Sequence, residues 1–140
     1  MPIEIRDTDG GLGVIITGSG NITEEEYIDT LTKHLTQDEE KFKQIRYSLS
    51  DYTKTLKVDV SNKALELIAN YCQTVAKINP DIIVVHVTNH ALVYGLAKMW
   101  EVLTNNTQWE KMVFRDRSDA ETWIRKRIEE KYGIDNLSFN

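Results

Sequence analysis

The chain has 140 residues and a net charge of −5, a length that suits one domain burying roughly two-thirds of the surface its unfolded form exposes. Hydrophobic residues make up 41% and charged residues 28%, which excludes both a disordered chain and a disulfide-dense miniprotein. The lone Cys72 excludes an internal disulfide and any cysteine-built metal cage, no apolar run nears the ~20 residues of a membrane span, and the acidic balance (pI about 5.2) argues against nucleic acid as a partner.

The chain opens Met-Pro-Ile-Glu-Ile-Arg, without the basic and then apolar pattern of an export signal. With a single unpaired cysteine, the expectation is a reducing, cytoplasmic setting. Apolar runs at residues 3–6 and 12–17 flank Asp9-Gly10, a dipeptide suited to a tight hairpin turn. Gly18-Ser19-Gly20 then reads as a strand-to-helix turn. Thr23 and Glu26 form a capping box, and Tyr27, Ile28, Leu31 and Leu35 recur at helical spacing over residues 24–35.

Alternation of Ile45, Tyr47 and Leu49 with polar neighbours predicts a strand over residues 44–51. The polar stretch 51–59 reads as a long loop. Ser61 caps a helix whose face carries Leu65, Ile68, Ala69, Cys72, Val75 and Ala76, and Asn79-Pro80 stops it. Residues 82–87 form a β-branched run broken only by His86, which predicts a central strand covered on both faces, with His86 a hydrogen-bonded core residue.

Asn89 reads as the cap of a helix carrying Leu92, Leu96, Met99 and Leu103, with Tyr94, Trp100 and Trp109 partly surplus to its core stripe. A short strand follows at residues 111–114. Ser118 and Glu121 repeat the capping box ahead of Ala120, Trp123, Ile124, Ile128 and Tyr132, and Gly133 ends the helix. The order is ββαβαβαβα with four main helices. It predicts an α/β fold whose mixed, mostly parallel sheet carries an antiparallel N-terminal hairpin, in one domain over residues 1–140.

Ligands and partners of such sheets meet the loops at the carboxyl ends of the parallel strands. Segments 51–61, 88–90 and 115–118 therefore hold the candidate binding residues Asp51, Tyr52, Thr53, Asp59, Thr88, Asn89, His90, Arg115 and Arg117. Asp51, Thr88 and Arg115 follow successive strands as in phospho-acceptor receiver domains. The first hairpin, however, ends Val14-Ile15-Ile16-Thr17-Gly18 without an acidic pair for magnesium, and the last strand lacks the receiver's Lys. The glycines at 18 and 20 lack the third glycine of a dinucleotide fingerprint, for Thr23 stands in its place.

His34, His86 and His90 fall in separate elements without metalloprotease spacing, and neither Ser50 nor Cys72 sits in a nucleophile elbow. Residues 115–131 carry six basic and five acidic side chains, a solvated face laced with ion pairs rather than a basic patch. Arg115 and Arg117 remain placed to hold one phosphate or carboxylate. No catalytic set, metal site or cofactor is predicted.

The order of elements, the opening hairpin and Asp59-Val60-Ser61 before the second helix resemble STAS domains, closest to the SpoIIAA-like anti-sigma-factor antagonists. The resemblance spans nearly the whole chain. In those antagonists an Asp-x-Ser-Gly motif carries a serine phosphorylated by a partner kinase; Asp59 and Ser61 match it, with Asn62 in the place of Gly. The resemblance implies a non-enzymatic regulatory module that binds a protein partner, a kinase or an anti-sigma-like regulator, with Ser61 as candidate phospho-acceptor. Oligomeric state is left open. The alternative is a domain for a small apolar ligand or lipid, held in the strand-end crevice under a lid formed by the 51–59 loop with Tyr52, Tyr94 and Trp100.

Overall fold

The computed structural model describes residues 2–140, apart from the side chains of Leu35 and Thr36. Leu35, placed on a helix face by its spacing, therefore lies outside the described side chains. Strand β1 (Ile3–Thr8) pairs antiparallel with β2 (Gly13–Thr23). The hairpin turn is longer than a two-residue turn. Asp9, Gly10 and Gly11 all take positive φ (53°, 68° and 93°); the two glycines do so without steric cost, and Asp is among the few other residues that enter the left-handed region.

Gly18-Ser19-Gly20 is not a strand-to-helix turn but lies inside β2. Between Thr17 and Ser19, and again between Gly20 and Asn21, the parallel partner strand advances one residue more than β2, so two bulges fall on that partner while pairing continues to Thr23, with Gly20 at positive φ beside the second. No phosphate-binding helix start follows those glycines. Helix α1 (Glu24–Thr36) begins where Thr23 Oγ1 accepts from Glu26 N at 3.3 Å. Helix α2 (Glu39–Gln44), capped by Asp38, was not expected from the sequence; it buries only Phe42 and is too short for a periodic signal.

Strand β3 (Tyr47–Asp59) begins later and runs far longer than predicted. The stretch expected as a loop stays extended because β2 continues beside it, pairing Ser19 with Lys54 and Thr23 with Asp59. Tyr52 and Thr55 are buried along it, and residues 52–58 are rich in the aromatic and β-branched types that suit strands. Helix α3 (Asn62–Ile78), capped by Ser61, buries the seven-residue face that includes Leu65, Ile68 and Cys72.

Strand β4 (Ile83–Val87), helix α4 (Ala91–Leu103), strand β5 (Glu110–Phe114) and helix α5 (Arg117–Tyr132) complete the chain, with Gly133 left-handed at the end of α5. Three caps or faces differ from expectation. His90, not Asn89, is the first flanking residue of α4, because Thr88 Oγ1 accepts from His90 N at 3.1 Å and carries the chain one residue further. The buried face of α4 is Val93, Ala97 and Trp100, so Leu92 and Met99 point outward, while Trp100 and Trp109 are core residues. Asp116, not Ser118, caps α5; its carboxylate accepts from the backbone N–H of Ser118 and Asp119.

The five strands lie in the order β1-β2-β3-β4-β5, with β1-β2 antiparallel and the rest parallel. The expected α/β class with a mixed, mostly parallel sheet and N-terminal hairpin is what the chain forms, with one helix more than predicted. Successive same-direction crossovers of one hand put α1, α3 and α4 on one face. There Val14, Ile16, Tyr52 and Val84 meet Leu65, Ile68 and Trp100. Residues of opposite parity, Ile15, Tyr47, Leu49, Ile83, Val85 and Val87, face α5 and the tail after it.

The tail at 134–140 closes this second core with Leu137 and Phe139. Asp9 anchors it: one carboxylate oxygen accepts from Ser138 N (2.7 Å) and Oγ (2.9 Å), the other from the Tyr47 hydroxyl and Phe139 N. Burial alone would raise the Asp9 pKa; the hydrogen bonds from Tyr47, Ser138 and Phe139 outweigh it and hold the carboxyl below its usual 3.8. Gly13 is part of the same packing, since a β-carbon there would lie 2.1 Å from the Tyr47 ring. The ring is fully buried and pinned by Asp9 and Phe139. Gly13→Ala is thus expected to destabilise the fold by about 3 kcal/mol, the upper part of the overpacking range, as a lowered urea midpoint.

Candidate functional site

The carboxyl ends of β3, β4 and β5 bring together part of the expected set. Asp51 is paired in register with Val87, and Val87 with Phe114, so Asp51, Thr88 and Arg115 stand at one end of the sheet. Asp51 Oδ1 accepts from Thr53 N (2.9 Å) and Thr53 Oγ1 (2.6 Å), and Oδ2 accepts from Arg117 Nη1 (3.1 Å). Burial pushes the Asp51 pKa up, but the bonds from Thr53 and Arg117 more than offset it, leaving it below the usual value.

Arg117 also donates to Glu121 at 2.8 Å, and Arg115 lies 4.6 Å over the ring of Tyr94. Thr88 is fully buried, and its N–H donates to Phe114 O. Asn89 and His90 are exposed beside it. Both oxygens of Asp51 are therefore occupied by the protein itself. The cluster fastens α5 to the strand ends by a partly exposed ion pair, of the kind contributing about 0.2–1 kcal/mol.

Tyr52, Asp59 and Ser61 do not join this cluster. Tyr52 turns to the opposite face of the sheet and is buried there. Asp59 lies eight residues further along β3, opposite only six residues of β2 because two bulges intervene, on the order of 20 Å away at the usual rise. The supposed lid of residues 51–59 does not exist as a loop, and Tyr52 and Trp100 are buried in the core against α1, α3 and α4, while Tyr94 lies against Arg115.

Because β3 reaches Asp59, the Asp59-Val60-Ser61 segment follows its strand directly, without the expected intervening loop. Ser61 is exposed, and its Oγ accepts from Ala64 N at 3.1 Å as the cap of α3. Its own N–H donates to Glu24 Oε1 at 2.8 Å, tying the start of α3 to the start of α1. Hydrogen bonds from Ser61 hold the Glu24 carboxyl below its usual pKa.

The sequence reading missed a cavity of about 90 Å³ between the sheet and helices α1, α3 and α4, whose walls include Ser50, Tyr52, Cys72, His86 and Trp100. A chamber of about 40 Å³ adjoins it across Tyr27, Tyr52, His86 and Trp100. His86 stacks on Tyr52 at 6.4 Å between ring centres and meets Trp100 edge-on at 5.0 Å. It is not the hydrogen-bonded core residue expected, because its Nδ1 is buried without a hydrogen-bond partner.

Burial pushes the His86 pKa down to about 4 and those of Tyr52 and Cys72 up to about 12 and about 11, so all three are neutral near pH 7. A signal for this place was present in the sequence. Ser48 and Ser50 alternate with Tyr47 and Leu49, and Ser50 is the register partner of His86. Polar residues thus share one face of two adjacent buried strands.

No family model and no curated protein matches the sequence. Among solved structures, the chain is similar to an uncharacterized protein of the DUF3478 family from Shewanella loihica PV-4, described as having a SpoIIAA-like fold. The TM-score is 0.53 at 20% identity, over 86% of this chain and 90% of that one. The fold is SpoIIAA-like. The long β3 of this SpoIIAA-like chain ends at Asp59, and Ser61 caps α3. No helix among the described residues is long and apolar enough to cross a membrane.

Proposed function

We propose that this SpoIIAA-like chain is a non-enzymatic regulatory module that binds a protein partner, with the start of α3 as its switch. The observation that carries the reading is the exposed Ser61 at the cap of α3, directly after β3 and held by Glu24. A phosphoryl group on Ser61 would bring a charge of about −1.5 to −2. The amino end of α3 favours that charge, and the Glu24 carboxylate opposes it. Phosphorylation would thus release Glu24 and part the first turns of α1 and α3, changing the surface a partner reads there while the Tyr71–Thr32 bond further along still joins the helices.

The outer side of α4 supports a docking role, since Leu92 and Val102 are 55% and 68% exposed there. The kinase or anti-sigma-like regulator expected from the sequence is the partner class this reading retains. Native mass spectrometry of the protein from its own cells is expected to show a phosphate adduct on Ser61 or a retained protein partner. With that partner in hand, Ser61→Glu is expected to weaken binding at least tenfold. Ser61→Ala should bind normally while losing about 1 kcal/mol of stability with the cap. Equal binding by all three proteins would remove Ser61 as the switch.

A further inference from the structure

Strand β1 is an edge of the sheet, and its pairing shows which of its backbone groups stay open. Ser19 N donates to Pro2 O at 2.7 Å, in step with the antiparallel register of β1 and β2. Bonded and unbonded pairs alternate along such a ladder, so Glu4, Arg6 and Thr8 turn their N–H and C=O groups to β2. Ile3, Ile5 and Asp7 turn theirs outward, where no backbone group meets them among the described residues. An open row of this kind is a template for another strand.

The side chains select which strand. Ile3 and Ile5 face the core that includes α1, whereas Arg6 donates to Phe139 O and so lies on the tail side, with Glu4 on the same side two residues before it. Glu4 and Arg6 are both exposed, and Glu4 has no ion pair or hydrogen bond among the described residues. A second copy laid antiparallel along β1 uses Ile3, Ile5 and Asp7 together only when Ile5 stands opposite Ile5. That register sets Glu4 opposite Arg6 of the copy, and Arg6 opposite its Glu4, in the unbonded pairs whose side chains approach most closely. Moving Ile5 opposite Ile3 brings Glu4 onto Glu4, and moving it opposite Asp7 brings Arg6 onto Arg6. Like charges directly opposite each other destabilise a ladder, so the charges reject both neighbouring registers.

We propose that β1 pairs with β1 of a second copy about a two-fold axis through Ile5, joining the two sheets into one. The axis stands perpendicular to the sheet, so α1 and its copy lie antiparallel on the same face. The first turn of α1 carries Glu24, Glu25 and Glu26 and its last turn Lys33 and His34, so opposite charges approach there as well. The other edge of the sheet offers no such match. On β5, Glu110 is bonded by Arg127 and Lys131, and Lys111 donates to Thr104 O. The contact is separate from Ser61 and does not depend on its acting as a switch.

Sedimentation equilibrium of the whole chain should show a reversible monomer–dimer equilibrium, half-associated below about 1 mM, as a strand pair flanked by one helix pair allows. Glu4→Lys should weaken it at least tenfold, and so should Arg6→Glu, since each sets like charges opposite in both symmetric pairs. An equimolar mixture of the two variants should associate again, because the reversed charge of each meets its opposite in the other. Amide exchange at Ile3, Ile5 and Asp7 should slow as concentration rises, while Glu4 and Arg6, already bonded to β2, change little. This readout needs no substitution and decides the matter should Arg6→Glu, which loses its bond to Phe139, fail to fold. A monomer throughout, a dimer indifferent to Glu4→Lys, or a dimer with unchanged exchange at Ile5 would overturn the proposal, the last two placing the contact on another face.

Discussion

Phe139→Ala is expected to remove about 3–5 kcal/mol of unfolding free energy, the usual range for a buried phenylalanine. Phe139 is 3% exposed, with its ring edge-on to Tyr47 at 5.3 Å and the Arg125 guanidinium 4.8 Å above it. It belongs to the core that Ile15, Leu49, Ile83, Val85, Ile124 and Ile128 form on the α5 side of the sheet. Among the described residues no helix other than α5 contributes to that core, so the tail, with Leu12 and Phe114 at its edges, is its remaining cover.

Against a typical total of about 5–15 kcal/mol, a loss of that size leaves the fold marginal. The measurement is a urea titration at pH 7, where the midpoint should fall with the slope unchanged. Removing residues 134–140 should cost at least as much, because Leu137 goes too and Asp9 loses the donors Ser138 and Phe139. A cost below about 1 kcal/mol for Phe139→Ala would mean that the tail contributes little to the core.

The second large effect is on pH dependence, and it belongs to His86. Its pKa falls from 6.5 to about 4 because burial disfavours the cation. The unfolded chain therefore takes up a proton below pH 6.5 that the folded chain refuses until about pH 4. Stability is full above pH 6.5 and drops as pH falls through that window, by about 3 kcal/mol in all at 1.36 kcal/mol per unit. Tyr27, Tyr52 and Cys72 around the ring stay neutral there, since burial raises their pKa values.

Asp9 acts below this window. Its lowered pKa contributes stability that is present above pH 3.8 and lost as pH falls through the folded value. His34 adds a loss of the same sign as His86, for burial lowers its pKa as well. His86→Gln separates the two, because glutamine keeps a polar side chain and does not titrate. The drop between pH 6.5 and 4 should shrink in that variant to the share of His34 and, at its acid end, of Glu24 and Glu110, whose carboxyls are held below their usual 4.5. An unaltered pH profile would show that His86 does not govern it.

The helices and the short strands were legible wherever one periodic face carried the pattern, as in α3 and its Ser61 cap. The long β3 was not. Its second half carries Thr and Lys in place of an alternation of apolar residues, two bulges of its own break the period of two, and it is held extended only by pairing with β2. Local signals cannot report such mutual support, and the same omission turned the supposed lid into a fiction. The tail carries no local signal for a related reason, since Leu137 and Phe139 are buried against strands distant in sequence, Phe139 meeting Tyr47 92 positions away.

Of the candidate site, the cluster of Asp51, Thr53, Arg117 and Thr88 followed from strand order alone, because parallel strands in register place their carboxyl ends together. The splitting of Asp59 and Ser61 from that cluster depended on the length of β3. His86 was visible as the polar residue in an apolar strand. Its lack of a partner depends on how Tyr52 and Trp100 pack around it, which no single element encodes.

The anchoring of the tail by Asp9 also fixes where anything joined after Asn140 must emerge. The β1-β2 turn sits at the end of the sheet where Gly13, Tyr47, Ile83 and Glu110 line up in register, the pole opposite Asp51, Arg117 and the start of α3. A dye, bead or surface linker placed there would leave the opposite pole facing solution, so a chain tethered by its carboxyl terminus presents Ser61 to whatever is passed over it. A linker on the amino side leaves through β1, whose Ile3 lies next to Gly18 nearer that working pole, and would crowd it.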